Sequence, residues 1–260
     1  MPSEPAWRLG VFTAVLVSMM AAEAIAPRRR RVRSRGGRWA ANLSLTAVDA
    51  LIVRLVVPAG LTGFALYIEE RGWGLLPRLT SSRLAAGILA FVVLDLVVYL
   101  QHVAFHYVPV LWRMHRVHHT DAEIDTTTGV RFHPFEIVLS LALKAAAIAA
   151  LGAPPLAVLV FEIVLNGTSL FNHANWLMPL RLDAVMRLLI VTPDMHRVHH
   201  SVRLEEQNAN FGFNLPWWDR CFGTYREAPA AGHDGMEIGV SNLPDPRSLL
   251  RLLALPLRRP

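Results

Sequence analysis

Five stretches of this sequence are apolar almost without interruption: Trp7–Ala26, Leu43–Ile68, Leu84–Tyr99, Phe135–Leu151 and Leu156–Phe171. Nothing else in the chain constrains its fold as strongly. Roughly twenty helical residues cross the hydrocarbon core of a bilayer. In lipid, every backbone polar group must be satisfied within its own segment, so such stretches fold as helices. The first three reach or approach the spanning length, the third if it runs on to His106. The last two are short, and Gly152-Ala153-Pro154-Pro155 separates them. They read as a helical hairpin that either crosses with little margin or re-enters from one side. A mean hydropathy of +0.35 and a hydrophobic share of 53% point the same way. Asp49, Arg54 and Asp95 lie inside apolar stretches and are expected to face the bundle interior or an interface, because charge exposed to lipid is costly.

Charge distribution sets the expected orientation. The first stretch, with Ala22-Glu23-Ala24 near its end, resembles a cleavable signal segment, but Arg28, Arg29, Arg30, Arg31, Arg33, Arg35 and Arg38 follow at once. Such a block resists translocation, so the stretch reads as a retained helix whose C-terminal end is cytoplasmic. The block is expected to rest on anionic headgroups. Counting crossings then puts His102–His133 and His173–His200 on the cytoplasmic side as well. Leu180–Val191 reads as an amphipathic helix in the interface. The end of the chain from Arg226 reads as a loosely structured cytoplasmic tail, with a short surface helix over Arg247–Leu255. The expected partner of this basic chain is a membrane and not nucleic acid.

One hexapeptide, Met-His-Arg-Val-His-His, occurs twice, at Met114–His119 and Met195–His200. Helical residues advance about 100° each. His115, His118 and His119 therefore share one face, and His196, His199 and His200 repeat the arrangement. His102 and His106 stand four apart at the end of the third stretch, with Asp95 and Tyr99 on the same face. A lone histidine is usually an ordinary polar residue, and His233 is read that way. Eight imidazoles in three face-matched blocks at one membrane side indicate a metal site. The single cysteine, Cys221, leaves histidine and carboxylate as the ligands. One ion takes about four ligands, so eight or more imidazoles suit two ions. Asp95, Asp121, Asp194 and Asp219 are candidates to orient the rings.

At this point the sequence resembles the fatty acid hydroxylase/sterol desaturase superfamily of integral membrane di-iron enzymes, from about Leu84 to Arg226. Asp95–His106 is similar to its helix-borne first box, and His115–His119 and His196–His200 to its second and last boxes. Phe171–Trp176 resembles an intermediate histidine segment, with His173 as the candidate ligand. Asn210–Tyr225 resembles the closing segment. Some relatives carry a second histidine four residues after the intermediate one; here Leu177 stands at that offset, with Asn175 nearby.

The resemblance implies an all-α integral membrane bundle with a cytoplasmic histidine-rich helical cap holding a two-metal centre. The implied metal ligands are His102, His106, His115, His118, His119, His173, His196, His199 and His200, surrounded by Asp95, Tyr99, His133, Asn175, Asp194 and Asp219. Three segments are implied: N-terminal transmembrane helices with the arginine-rich loop (1–82), a catalytic domain (83–226) and a cytoplasmic tail (227–260). The implied cofactor is a non-haem pair of iron ions with O2 as co-substrate, acting on a C–H bond of a lipid. Hydroxylation and desaturation both remain open, as does the choice among sterol, fatty acyl and related substrates. No cytochrome b5-like stretch is fused, so electrons are expected from a separate donor: a ferredoxin, a cytochrome b5-like protein or a reductase. Trp176, Trp217 and Trp218 either line the lipid path or anchor the chain at the interface. Arg116 and Arg197 are expected in structural salt bridges, with a lipid headgroup or an acidic electron donor as the other reading.

A metal transporter or metal-binding sensor is the alternative; its ligands belong at mid-bilayer along a pathway. A haem protein needs fewer histidines. A zinc hydrolase needs fewer ligands and a catalytic glutamate, and no H-E-x-x-H occurs.

Overall fold

A computed structural model of the chain describes residues 4–31, 34–243 and 245–258. Arg33 of the arginine block lies outside the described residues. Among them the chain is helical: α1 (Glu4–Ile25), α2 (Gly36–Val56), α3 (Gly60–Glu70), α4 (Leu76–Leu79), α5 (Arg83–Tyr107), α6 (Pro109–His119), α7 (Pro134–Leu151), α8 (Pro155–Asn172), α9 (Leu180–Met186), α10 (Pro193–His199), α11 (Leu204–Gln207), α12 (Trp217–Phe222), α13 (Gly232–Gly235) and α14 (Leu249–Ala254). Among the described residues, five segments are long and apolar enough to cross a membrane: α1, Gly36–Glu70, α5, α7 and α8. At 18 residues each, α7 and α8 reach about 27 Å.

The second apolar stretch is not one helix. Its ladder breaks between Val56 and Gly60, where Pro58 has no N–H to donate and its ring crowds the preceding turn. Gly60 takes φ +65°, and α3 starts in a new direction. The α7–α8 hairpin closes on Gly152 at φ +65°, where an added Cβ would meet the Trp73 carbonyl oxygen at 2.3 Å. Leu75 N–H donates to Ala150 O, and Arg83 lies 3.7 Å from Glu69, so these turns share one end of the bundle.

The core between α3, α5, α7 and α8 follows from the α5 sequence. Ala86, Ala90, Leu94 and Val98 recur every fourth residue and are buried against Leu61, Ile148, Val158 and Phe161. The small alanines allow close helix approach, which is how membrane helices gain packing where lipid offers no hydrophobic drive. Leu9, Val17, Leu51, Leu55, Leu84 and Leu156 stay exposed on the outer faces, as lipid-facing residues should. Asp49 and Asp95 are buried, while Arg54 is exposed and donates to Pro58 O.

The other end of the bundle, where α5 and α8 finish, carries a polar cap. Glu23 at the end of α1 is 1% exposed. It accepts from Thr126 N–H and Oγ1 (both 2.7 Å), from Asn175 N–H (2.9 Å) and from Arg31 (2.8 Å). Asp125 caps the 3-10 turn Thr126–Val130 and also receives Trp39 Nε1 and Arg38.

Several expectations need correcting here. The arginine block is in part structural and not wholly a headgroup surface. Arg38 is buried between Asp121 and Asp125, and Arg28 pairs with Asp194 and Asp234. The described residues after Arg226 pack against the rest of the chain, contrary to the expected loose tail. Met236 and Ile238 pack on Ile124, and Leu252 and Leu255 pack on Ala41, Leu45 and Val117. The helix expected at the interface ends at Met186, not Val191; Leu180 and Val185 on it, and Leu188 and Leu189 beyond it, are exposed.

Candidate metal centre

Local sequence aims the histidines. Val108-Pro109 ends α5 and starts α6, since proline pushes its predecessor to extended geometry and suits the first helical position. The chain therefore folds back, and α6 returns its imidazoles to those of α5. Helix α10 starts the same way: Thr192 Oγ1 accepts from Met195 N–H, and Pro193 opens the helix.

All nine expected histidines converge. One ring nitrogen from each of His102, His106, His115, His119 and His199 lies within 4.8 Å of the others in that group, and the same holds for His118, His173, His196 and His200. Nε2 of His102 and Nε2 of His115 are 3.1 Å apart, and Nε2 of His119 is 3.2 Å from the latter. In the second group, Nε2 of His173 is 3.0 Å from Nε2 of both His118 and His196, and His200 is 3.3 Å from His196.

The outer nitrogens show what these short separations mean. Nδ1–H of His102, His118, His173 and His199 donates to the carbonyls of Phe211, Arg131, Ser169 and Ala209, at 2.8, 3.3, 2.6 and 2.8 Å. His115 Nδ1–H donates to Glu136 Oε1 at 2.7 Å, and His106 Nδ1–H to Asn208 Oδ1 at 3.2 Å. A carbonyl only accepts, so the proton sits on Nδ1 and Nε2 is a bare lone pair. Between His118 and His173 two lone pairs face each other at 3.0 Å, where no hydrogen bond can form. A cation between them removes the repulsion. Two nitrogens each about 2.1 Å from one ion, at right angles, stand about 3.0 Å apart. The donor set thus fits metal ions.

Electrostatics agree. Burial pulls the His173 imidazole down to about 3. Burial, followed by repulsion from neighbouring imidazoles, holds His118, His119, His196, His199 and His200 well below the usual value. These rings are neutral at pH 7, the form that binds metal.

The residues expected around the ligands lie one step further out. Asp219 accepts from the N–H groups of Phe211 and Gly212 and from Thr224 Oγ1, and Tyr99 OH bonds Thr224. They fix the peptide whose carbonyl holds His102. Asp95 accepts from Leu215 N–H and Trp218 Nε1. Asn175 clasps the Arg29 backbone through both ends of its amide. His133 caps α7 and donates through Nε2 to Leu253 O. Asp194 takes Arg197, Arg28 and His233; against the desolvation that raises it, these hold its carboxyl below the ordinary range. Arg197 thus sits in the expected salt bridge, whereas Arg116 instead donates to the Leu255 and Arg258 carbonyls.

The direct partners of the rings, Glu136, Asn208 and four backbone carbonyls, were not among the expected residues. Carbonyls leave no mark in side-chain identity, and Glu136 looks like an ordinary acidic residue in a first helical turn. Asn210 carries the nearest signal. Its φ of 54°, which asparagine tolerates, turns the chain between Ala209 and Phe211, whose carbonyls take His199 and His102.

A cavity of about 740 Å³ reaches the first group. Val98, Phe105, Ile137 and Phe213 line it beside His102 and His115. Trp176, Trp217 and Trp218 lie elsewhere: Trp217 donates to Leu188 O, Trp218 to Asp95, and Trp176 bridges to Pro27.

No solved structure matches the chain. Among curated proteins it is 31% identical over 154 residues to an ornithine lipid hydroxylase of Rhizobium tropici, covering 59% of this chain and 45% of that protein. It is 27% identical over 191 residues to the cholesterol 25-hydroxylase of Rattus norvegicus (72% and 61%), and 28% identical over 136 residues to the alkylglycerol monooxygenase of Homo sapiens (52% and 29%). The chain thus spans between 29% and 61% of the length of these relatives. The family model for fatty acid hydroxylase matches residues 87–224, a stretch that holds all nine converging histidines, and the chain belongs to that family.

Proposed function

We propose that this chain is an integral membrane lipid hydroxylase whose nine histidines hold two iron ions. The observation that carries the reading is the pair of bare Nε2 lone pairs of His118 and His173 facing at 3.0 Å, repeated between His102 and His115. Five and four imidazoles in two adjoining groups suit two ions rather than one. Bound iron would supply the activation of O2, placing one oxygen atom in a C–H bond and releasing the other as water with two electrons and two protons from a separate donor.

The protein's own part is positioning and exclusion. The outer hydrogen bonds of His102, His106, His115, His118, His173 and His199 fix the tautomer and direction of those six rings before any ion binds, so little reorganisation is left there. Burial of the rings keeps bulk water from the reacting atoms. The cavity beside His102 and His115, walled by apolar residues of α5 and α7, is the path for the lipid carbon. Hydroxylation is preferred over desaturation because the similar curated proteins are hydroxylases and a monooxygenase. The arginines after α1 support a cytoplasmic metal end by the positive-inside rule. Residues 83–226 form the catalytic unit, with 1–82 and 227–260 as its membrane and cap supports.

The test is metal content followed by isotope transfer. Protein purified in mild detergent without chelator should carry close to two irons per chain. Lipid product formed under labelled O2 with a reductant should gain one labelled oxygen. A single exchangeable metal and no oxygen transfer would favour a transporter or sensor.

A further inference from the structure

The cavity that reaches His102 and His115 continues away from them down the bundle. Along α2 it extends from Thr46 to Val57, about 16 Å. Helix α7 turns one face to it over two turns: Ile137, Ser140, Leu141 and Lys144 line it, while Ala142, Leu143 and Ala146 on the other side are exposed or face outward. Lys144 is the only lysine in the chain. It is surrounded by protein yet only half-buried, so the open surface it keeps meets the cavity and not the bilayer. Its Nζ is not sealed, and it makes no hydrogen bond or ion pair among the described residues.

The neighbouring charges do not satisfy this ammonium. Glu162 attracts it only from beyond ion-pair reach and is taken by Arg8 at 2.6 Å; Arg8 also holds Glu4 and Thr62. The part of the cavity away from the histidines is lined by three cations, Arg8, Arg54 and Lys144, against two carboxylates, Glu4 and Glu162. At the histidine end the carboxylate of Glu136 is bonded to His115. Lys144 stands in the middle of α7, a segment long enough to cross the membrane. A charge at that depth is costly unless something meets it, and it marks a function by default. An anion in the cavity would meet it.

We infer that Lys144 anchors a subsite for the anionic oxygen group, carboxylate or phosphate, of a lipid lying in the cavity, with its hydrocarbon directed to His102 and His115. Three N–H donors on one positive centre suit such a group, and the hydrogen bonds are charge-assisted. Glu136 repels an anion from the histidine end, so charge orients the lipid. Lys144 stands eight residues from Glu136 on α7, about 12 Å along the axis. The carbon presented to the metal centre is then well along the chain and not next to the anionic group. This deepens the proposed hydroxylase reading and rests on it for the meaning of that carbon, but the binding itself does not need iron.

A single lysine lets amine chemistry read the site directly. The full chain in phosphatidylcholine nanodiscs is treated with an amine-acylating reagent, and the Lys144 peptide is quantified by mass spectrometry. A long-chain fatty acid, its methyl ester or a long-chain alkyl phosphate is present in separate samples. The acid or the phosphate should protect Lys144, and the better protector names the group; the ester keeps the chain, loses the charge and should not protect. Displacement of a photoreactive fatty acid should show a preference for acid over ester of about tenfold or more, in line with a hydrogen bond to a charged group. Lys144→Met should bring that preference close to one, and Lys144→Arg should retain it. Protection by neither anion, equal protection by acid and ester, stronger displacement by a long-chain alkylamine, or a preference unmoved in Lys144→Met would overturn the subsite. Iron and labelled-oxygen assays on the same preparations separate the two readings. Anion selectivity without iron keeps the subsite and sinks the hydroxylase, and two irons with oxygen transfer but no selectivity do the reverse.

Discussion

Glu136→Gln is the most informative single change at the metal centre. The carboxylate accepts from His115 Nδ1 at 2.7 Å inside the buried cap, so the bond is charge-assisted. Glutamine keeps the length and an acceptor oxygen but loses the charge. Hydrogen bonds to charged groups contribute roughly 1.5–3 kcal/mol and neutral ones roughly 0.5–1.5, so the loss is about 1–1.5 kcal/mol. That corresponds to about tenfold in metal affinity, at the lower end of the roughly 10–100-fold range for partners of metal-bound histidines. The effect should be local. His115 belongs to the group with His102, His106, His119 and His199, whereas in the second group His118 and His173 keep their carbonyl partners and Glu136 bonds none of the four rings. A chelator titration followed by metal counting should give two release steps, only one of which moves to about tenfold lower chelator. Equal movement of both steps, or of neither, would refute the assignment of Glu136 to one ion and the division of the histidines into two groups.

Other perturbations test the rest of the site. His118→Ala and His199→Ala, one in each group, should each abolish lipid oxidation and leave membrane insertion intact in a fractionation assay; full turnover in either would count against the shared centre. Gly129→Ala places a Cβ 2.3 Å from the Ser169 carbonyl, which takes His173 Nδ1–H, so metal counting should find loss in the second group before the first. The overpacking should also lower thermal stability, by about 1–3 kcal/mol. Burial holds His233 down to about 4, below the ordinary imidazole value, so the unfolded chain binds a proton that the folded chain refuses as pH falls below about 6.5. The folded state should therefore lose stability from pH 6.5 toward 5. Melting curves of His233→Gln should show a shallower decline over that window, and parallel curves would remove His233 from the cause.

The sequence carried the apolar segments and the histidines that converge because both are periodic. An apolar run of about twenty residues and imidazoles three and four apart are visible in one dimension. What it did not carry was long-range pairing. Arg38 reads as one more cation of a basic loop, yet it meets Asp121 and Asp125 more than eighty residues away. Glu23 reads as part of a cleavage site, yet it ties α1 to Thr126 and Asn175. Glu136 is an ordinary helix-start carboxylate until His115 is brought to it. Leu252 and Leu255 sit in a proline- and arginine-rich end, and only the exposed flank of α2 and Val117 gives them a place to bury. Each case turns on a partner distant in the chain, and neither periodicity nor composition marks such partners.

The repeated hexapeptide takes its meaning from the same geometry. Around a helix the step from His115 to His119 is about 40°, and that to His118 is about 60° the other way. His118 and His119 therefore diverge by about 100° and serve different groups: His115 and His119 join the first, and His118 the second. The second copy does the converse, with His196 and His200 in the second group and His199 in the first. Each copy spans both groups, giving two rings to one and one to the other, and the two copies reverse the assignment. The two copies of the motif thus exchange the two groups between them. The flanking helices break that balance. Helix α5 adds His102 and His106 to the first group, while the turn after α8 adds His173 alone, with Leu177 at the position a matching partner would need. The two groups are therefore unequal, five rings against four. In the proposed di-iron centre, the group with fewer rings leaves more of its ion's coordination to ligands from outside the protein. The hydrogen bonds that hold its rings, from His118 to Arg131 O and from His173 to Ser169 O, come from backbone that α8 and the 3-10 turn lock in place. In the proposed reading, that fixed frame with one histidine fewer would be where a ligand from outside the protein completes an ion's coordination.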